Sequence, residues 1–314
     1  MVEKLNVLVT GGAGYVGSVL VPLLLERGFK VRVLDNLTYG PNGLIPHFIN
    51  PNFEFVKGSI LDEKTVKDCL RGMDVVVHLA AIVGYPACKK DPETARKVNL
   101  EGTKILAKNL SKGQKIIYSS TDSVYGNKQG IICTEETPPE PISVYGETKA
   151  QAEKYLLDNC SNVVIYRFAT AFGLSPRLRL DLLINDFVFQ ALKKKILVVY
   201  EKDFKRAFVH IRDMARAIIF AIDNFDKMNK NIYCIGSEEL NLTKEQVALA
   251  IRKKLDFYLH FADAGKDEDL RNYEFSFEKM RKTGFKTEVG LERGLDELIK
   301  GLREIEIKNP YTNA

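Results

Sequence analysis

The sequence predicts an α/β protein built on a doubly wound parallel sheet, with a smaller mixed α/β lobe at its C-terminal end. Three observations carry this. From about residue 5 to residue 167, short β-rich apolar runs alternate with amphipathic ones, the rhythm of strand–helix–strand units. The run from Val75 to Ala81 is almost wholly apolar, as in a strand buried on both faces. The first apolar run, Leu5 to Val9, stops at Thr10, and Gly11, Gly14 and Gly17 follow at three-residue intervals before an amphipathic run through Leu25.

That opening is a strand, a tight turn and a helix. The turn needs backbone without Cβ for its bend and for a pyrophosphate to come close, and the third glycine lets helix and strand pack. The helix N-terminus, with its unpaired N–H groups and partial positive charge, suits a phosphate. The pattern is Rossmann-type, and Tyr15 and Val16 lie inside it. Gly28 ends the helix and Lys30–Leu34 forms a second strand closed by Asp35, with Asn36 next. A carboxylate there accepts both ribose hydroxyls of an adenosine and repels a 2′-phosphate, which selects NAD over NADP.

A proline-bearing loop with a short helix follows, from Asn36 to Asn52, and Phe53–Val56 is a third strand. Asp62 is placed to cap a helix through Leu70, and the fourth strand runs from Asp74 to Ala81. Asp91-Pro92 opens a long helix to about Leu110. The fifth strand, from Lys115, ends in a polar cluster, Ser119 to Ser123, at the sheet edge where ligands sit. Tyr145 to Leu157 is a helix and Val163–Arg167 a sixth strand. Beyond Gly173 the rhythm changes to helices at Leu180–Ala191, Asp213–Ile222 and Leu291–Ile305, short strands at Ile196–Tyr200 and Ala207–Val209, and a capping-box helix from Thr243 to Leu255. The expected division is 1–173 for the dinucleotide and 174–314 for the substrate, with parts of 196–225 packing back on the first.

At 314 residues and a net charge of +5, the chain can bury a large core and carries no basic stripe for nucleic acid. No apolar run is long enough to span a membrane, and the first strand starts too early for a signal peptide. Five scattered cysteines without a C-x-x-C pair and four histidines without ligand spacing fit reduced thiols in a cytoplasmic protein and no metal site.

Tyr145 and Lys149 are four apart in a helical stretch and share a face. An ammonium beside a phenol favours the phenolate, so the pair can take a proton from a substrate hydroxyl while a nicotinamide takes the hydride. Tyr85 and Lys89 have the same spacing, but Pro86 follows Tyr85 in the loop after the fourth strand, which makes that pair structural or substrate-lining. Thr121, behind Ser120, is placed to steady the reacting oxygen.

Taken together, Gly11 to Gly17, Asp35-Asn-Leu37, His78-Leu-Ala-Ala81, Asn99-x-x-Gly102-Thr103, Ser119 to Gly126, Tyr145-x-x-x-Lys149 and Arg206 to Asp213 resemble the extended short-chain dehydrogenase/reductases. The branch they resemble is the NAD-dependent nucleotide-sugar epimerases and dehydratases. The resemblance covers essentially the whole chain. It implies Tyr145 as base, Lys149 as its partner on the nicotinamide ribose, and Thr121 beside the reacting C4 oxygen. It implies a cofactor site from Gly11, Gly14, Tyr15, Val16, Gly17, Asp35, Asn36, Ser59, Ile60, Leu79, Ala80, Ala81, Asn99 and Ser119, with Tyr145 and Lys149. Asp122, Thr170, Asn185, Arg206 and Arg271, with Thr121, would meet the substrate, the arginines its diphosphate. It also implies a homodimer through the helices near 91–110 and 145–157.

Three departures bear on the reaction. Ser59 stands where the family usually has an adenine-contacting Asp, and Thr170 where Asn is common. The 4,6-dehydratases carry Thr-Asp-Glu where this chain has Thr121-Asp122-Ser123, so the residue that assists removal of the C5 proton is missing. The expected function is therefore a UDP- or GDP-sugar 4-epimerase working through a transient 4-keto sugar. The alternatives are a 4-dehydrogenase or 4-keto-reductase, for example of a GDP-heptose, then a 4,6-dehydratase, and outside catalysis an NAD-sensing protein. The stretches Ser175–Phe187 and Asp267–Tyr273 are similar to a bacterial surface-sugar subgroup that includes the heptose enzymes.

Overall fold

The computed structural model describes residues 4–263 and 271–304. Its strands are β1 (Asn6–Thr10), β2 (Lys30–Asp35), β3 (Phe53–Lys57), β4 (Val75–His78), β5 (Lys115–Thr121), β6 (Ile132–Cys133) and β7 (Val163–Phe168). The later ones are β8 (Thr170–Phe172), β9 (Ile196–Tyr200), β10 (Lys205–His210), β11 (Asn231–Ile235), β12 (Asn241–Thr243), β13 (Tyr258–Ala262) and β14 (Glu274–Phe275). Seven of them form one parallel sheet in the order β11–β7–β5–β4–β1–β2–β3. Helices cover both faces, so the central strands are inaccessible throughout: all of β4 and all of β7 are buried, and their polar members, His78 and Arg167, are paired inside.

The chain winds outward from β1 in one direction through β2 and β3, then in the other through β4, β5, β7 and β11. The reversal leaves a crevice between β1 and β4, at their C-terminal ends. A buried polar clamp ties those ends beneath it. Thr10 Oγ1 is 2.7 Å from His78 Nδ1, and His78 Nε2 is 3.0 Å from Thr103 Oγ1. Burial pushes the imidazole down to about 3, so it bonds as a neutral ring.

Two elements differ from expectation. β4 ends at His78; Leu79 N–H still bonds the Thr10 carbonyl at 3.1 Å, and Ala80 then passes so close to the glycine turn that a Cβ on Gly11 would lie 2.7 Å from its nitrogen. The helix capped by Asp91 runs from Pro92 to Arg96, widens into a π turn over Lys97–Glu101, and resumes over Gly102–Lys108. The π turn carries Asn99 towards Ile82, and Gly102 packs on the side chain of Ile60.

Of the stretch 196–225, the helix Ile211–Asp223 returns to the first lobe, β9 does not, and β11 follows the helix into the sheet. The helix Ile211–Asp223 buries Met214, Ala215 and Ile218 in the same core as Leu20, Val21 and Leu24 of the helix Gly17–Glu26, and β11 adds the seventh strand. β9 instead pairs with β13 in the second lobe, because Leu197 and Val199 belong to the core closed by Leu295, Leu298 and Leu302 of the helix Leu291–Glu304. β8, β10 and β12 form the sheet that joins the lobes. Among the described residues no helix is long and apolar enough to cross a membrane.

Two glycines separate backbone strain from crowding. Gly11 has φ +74 and would press a Cβ onto Ala80, whereas Gly28 has φ +81 and open space around it. Gly11→Ala is expected to destabilise the protein by about 1–3 kcal/mol and clearly more than Gly28→Ala. The denaturant midpoint of each variant, at unchanged slope, measures the difference.

Candidate active site

The crevice between β1 and β4 continues into a cavity of about 820 Å³ that reaches the second lobe. Its floor is the glycine turn, closed by Gly11 N–H to the Leu34 carbonyl (2.9 Å) and Gly14 N–H to the Gly11 carbonyl (3.1 Å). A Cβ on Gly17 would stand 2.5 Å from Gly12 Cα, so the helix can begin directly on the turn only because that residue is glycine. Tyr15, Val16 and Gly17 line the cavity at this helix start, where backbone N–H groups have no intrahelical acceptor.

Asp35 takes the Ala13 N–H on one carboxylate oxygen (3.0 Å) and the Leu37 N–H on the other (2.7 Å). Leu37 holds a left-handed conformation, φ 60, that lets the loop turn back on this carboxylate. Burial raises the Asp35 pKa while the two backbone bonds oppose it. Each oxygen keeps a lone pair for a ribose hydroxyl. Asn36 folds its side chain onto Thr38. Ser59 spends its hydroxyl oxygen on the Leu61 N–H (3.1 Å), leaving the hydroxyl hydrogen for the adenine end. Ile60, Leu79, Ala80, Ala81 and Ser119 complete the walls. A glycine cradle, a free helix N-terminus and a ribose-directed carboxylate thus fit a dinucleotide diphosphate.

At the other end, β5 delivers Thr121, whose hydroxyl lies 3.1 Å from both Asp122 Oδ1 and Ser123 Oγ and lines the cavity with Tyr145. Tyr145 and Lys149 stand one turn apart on the helix Val144–Asn159, capped by Ser143 Oγ accepting the Gly146 N–H at 3.1 Å. Both are buried and both line the cavity. Lys149 Nζ sits 4.4 Å above the Tyr118 ring. Burial brings the ammonium down to about 7 against the pull of Glu153. Burial, with Cys88, raises the Tyr145 phenol, while Arg179 and Thr121 oppose the rise. The lowered phenol expected from the Tyr–Lys spacing is therefore not produced by the protein's own groups; desolvation outweighs it.

Asp122 is buried and held by its neighbours. Arg271 Nη1 donates to Ser123 Oγ (2.6 Å), the Tyr273 hydroxyl (3.1 Å) and Asp122 Oδ1 (3.3 Å), and Thr170 Oγ1 reaches Asp122 Oδ2 at 3.5 Å. Burial raises the Asp122 pKa, with Arg271 the main opposing charge. Arg271 and Thr170 line the cavity with Thr121 and Asp122.

Three expected site residues do not line it. Asn99 is spent on Ile82, accepting its N–H (2.8 Å) and donating to its carbonyl (3.0 Å), and also donates to Thr148 (3.2 Å), so it pins the loop after β4 to the Tyr145 helix. Asn185 accepts from Gly173 N–H (2.9 Å) and donates to the Arg179 carbonyl (2.8 Å), holding the crossing between lobes. Arg206 is 2% exposed, donating to the Lys205 carbonyl under the Tyr273 ring; its charge reaches Asp122 from behind.

Arg177 and Arg179 were not expected in the wall, yet both line it. Arg177 lies 4.2 Å over the Tyr39 ring, and Arg179 forks onto Asp181 at 2.6 and 3.1 Å. Their R-x-R spacing in Ser175–Phe187 was the available signal. Tyr85 is cavity-lining, with Lys89 5.4 Å over its ring. Asp267 to Leu270 lie outside the described residues.

A dinucleotide cradle that runs into a Thr–Tyr–Lys cluster defines a nicotinamide-dependent redox site. The profile of the NAD dependent epimerase/dehydratase family matches residues 7–236, and the chain belongs to that family. It is 30% identical over 319 residues to a dTDP-glucose 4,6-dehydratase of Streptomyces niveus (96% of this chain, 93% of that protein). It is 28% identical to a UDP-N-acetyl-alpha-D-glucosaminuronate decarboxylase of Bacillus cytotoxicus (96% and 99%). A longer Sinorhizobium fredii protein, 34% identical over 78% of this chain, is spanned over 59% of its length. The UDP-glucose 4-epimerase of Thermus thermophilus, solved with NAD, superposes with a TM-score of 0.82 at 26% identity (95% and 99%). NAD is the cofactor, and the chain is an enzyme of nucleotide-sugar chemistry.

Replacing Asp35 with Ser removes the acceptor for the ribose hydroxyls and for two backbone N–H groups. NAD affinity is expected to fall about tenfold or more and the NAD-to-NADP preference to shrink, both measured by calorimetric titration.

Proposed function

We propose that the chain is a nucleotide-diphosphate-sugar 4-epimerase that works through a transient 4-keto sugar, on a UDP- or GDP-linked substrate. One observation carries this choice within the family. Among the described residues, Thr121, Tyr145 and Lys149 line the cavity together, while Asp122 is held by Arg271 and Thr170 and is followed by Ser123. Oxidation at one carbon needs one acid–base group. Loss of water across two carbons needs a second group to take the C5 proton, and Ser123 stands where the 4,6-dehydratases carry the glutamate for that step.

Bound NAD supplies the hydride acceptor and donor. Gly11, Gly14 and the helix start at Gly17 would hold its diphosphate, and Asp35 its adenosine ribose. Tyr145 takes the proton of the C4 hydroxyl when its phenolate is stabilised. Thr121, which lines the same cavity as Tyr145, steadies the C4 oxygen as it becomes a carbonyl. Lys149 lends positive charge from one turn away and, with its pKa near neutrality, holds that charge only if the loaded site favours it. Arg271 and Arg177 offer guanidinium groups to the substrate diphosphate from the second-lobe side. A homodimer through helices 92–108 and 144–159 belongs to the same proposal; a single-chain mass in native mass spectrometry would remove it.

Tyr145→Phe should retain NAD and lose about 10²–10⁴ in turnover, with C4 inversion followed by proton NMR on UDP- and GDP-hexoses and a GDP-heptose. Net NADH with a released ketone would make the chain a 4-dehydrogenase instead. Full activity in the variant would end the mechanism.

A further inference from the structure

We propose that Glu153, held by Arg167 and Ser120, is a positioning residue of the redox site: a fixed counter-charge for the Lys149 ammonium. The inference rests on Lys149 serving the redox site as described above.

Glu153 follows Lys149 by one helical turn on the helix Val144–Asn159, and each is 3% exposed. Its carboxylate joins three elements. Arg167, on β7, donates from Nη2 to Oε2 at 2.7 Å and from Nε to both oxygens at 3.1 Å. Ser120, on β5 and directly before Thr121, donates its hydroxyl to Oε1. Ser120 and Arg167 are register partners in the sheet, so the carboxylate is gripped by two adjacent strands and cannot drift. Arg167 is fixed in turn, its Nη1 donating to the Tyr125 hydroxyl at 2.7 Å, which donates to the Thr134 carbonyl at 2.8 Å.

The other groups around Lys149 offer little compensation. From β5 comes the Tyr118 ring, and from β4 His78, neutral through burial. From the helix Tyr85–Lys90 comes Cys88, whose thiol burial pushes up to about 11. Tyr145, on its own helix, has its phenol raised. Among the described residues, Glu153, one helical turn on and equally buried, is the carboxylate placed to oppose the cost of burying this ammonium. Glu153 itself faces Ser120, Arg167, Tyr118 and Cys234. A buried ion pair gives weak net stability, whereas a pinned negative charge beside a buried lysine sets that lysine's charge state.

The experiment follows the Lys149 side-chain ¹³Cε signal by NMR on the full chain without sugar, assigned by its loss in Lys149→Met. Glu153→Gln removes the carboxylate and leaves Arg167 uncompensated, so the titration midpoint should fall by about one pH unit or more. Arg167→Gln leaves the carboxylate unshared, so the midpoint should rise. Combining Glu153→Gln with Arg167→Gln removes no net charge and should bring the midpoint back towards the parent value. If Glu153→Gln does not fold, the sign in Arg167→Gln and the return in the double variant still decide. Midpoints that coincide across the folded variants overturn the proposal. Shifts of the expected signs in a protein that does not invert C4 would overturn the epimerase reading instead and leave the counter-charge standing.

Discussion

The helix Val144–Asn159 lies so close to the end of β5 that a Cβ on Gly146 would stand 2.5 Å from the Ser123 carbonyl oxygen. The redox cluster exists because of that contact. Thr121 is delivered by a strand, Tyr145 and Lys149 by a helix that starts more than twenty residues later, and nothing local brings them together. Ser143 caps the helix, Gly146 lets it settle on the loop after β5, and Glu153 bonds back to Ser120. The same helix is tied through Thr148 to Asn99 and so to the loop after β4. Cofactor wall and proton-transfer groups therefore share one rigid frame.

Burial is the second constraint, and by itself it acts against the chemistry. A phenol and an ammonium that are both nearly inaccessible favour their neutral forms, as the directions at Tyr145 and Lys149 record. Asp122 is likewise raised by burial, and Arg271 opposes that. A site of this kind becomes basic when a positive ring and a polar sugar replace the missing solvation. The counter-charges differ in firmness. Glu153 is gripped by two strands, whereas Asp122 is reached by Arg271 from the second lobe, next to residues that carry substrate contacts in the proposed reaction.

The cofactor half was legible in the sequence because its chemistry is local. A strand, three glycines and a helix fit within about twenty residues, and Asp35 needs only to end the next strand. The substrate half was less legible for the opposite reason. Asn99, Asn185 and Arg206 were expected to face ligand, but each side chain is engaged by backbone or ring partners outside its own helix or strand. Arg177 and Arg179 went unassigned because an arginine pair in a loop has no direction until Tyr39 and Asp181 hold it against the cavity.

The sequence by itself determined the parallel sheet, the glycine turn and NAD as cofactor, and it singled out Thr121, Tyr145 and Lys149 as the group proposed for proton transfer, because each is written in spacing or in a strand-to-helix transition. Only the tertiary structure decided which polar residues face the cavity, where the chain returns to the sheet, and that burial weighs against charge on both Tyr145 and Lys149. Those depend on burial and on partners far apart in sequence. Neither quantity has a local signature, since desolvation is set by the packing of every element around a group.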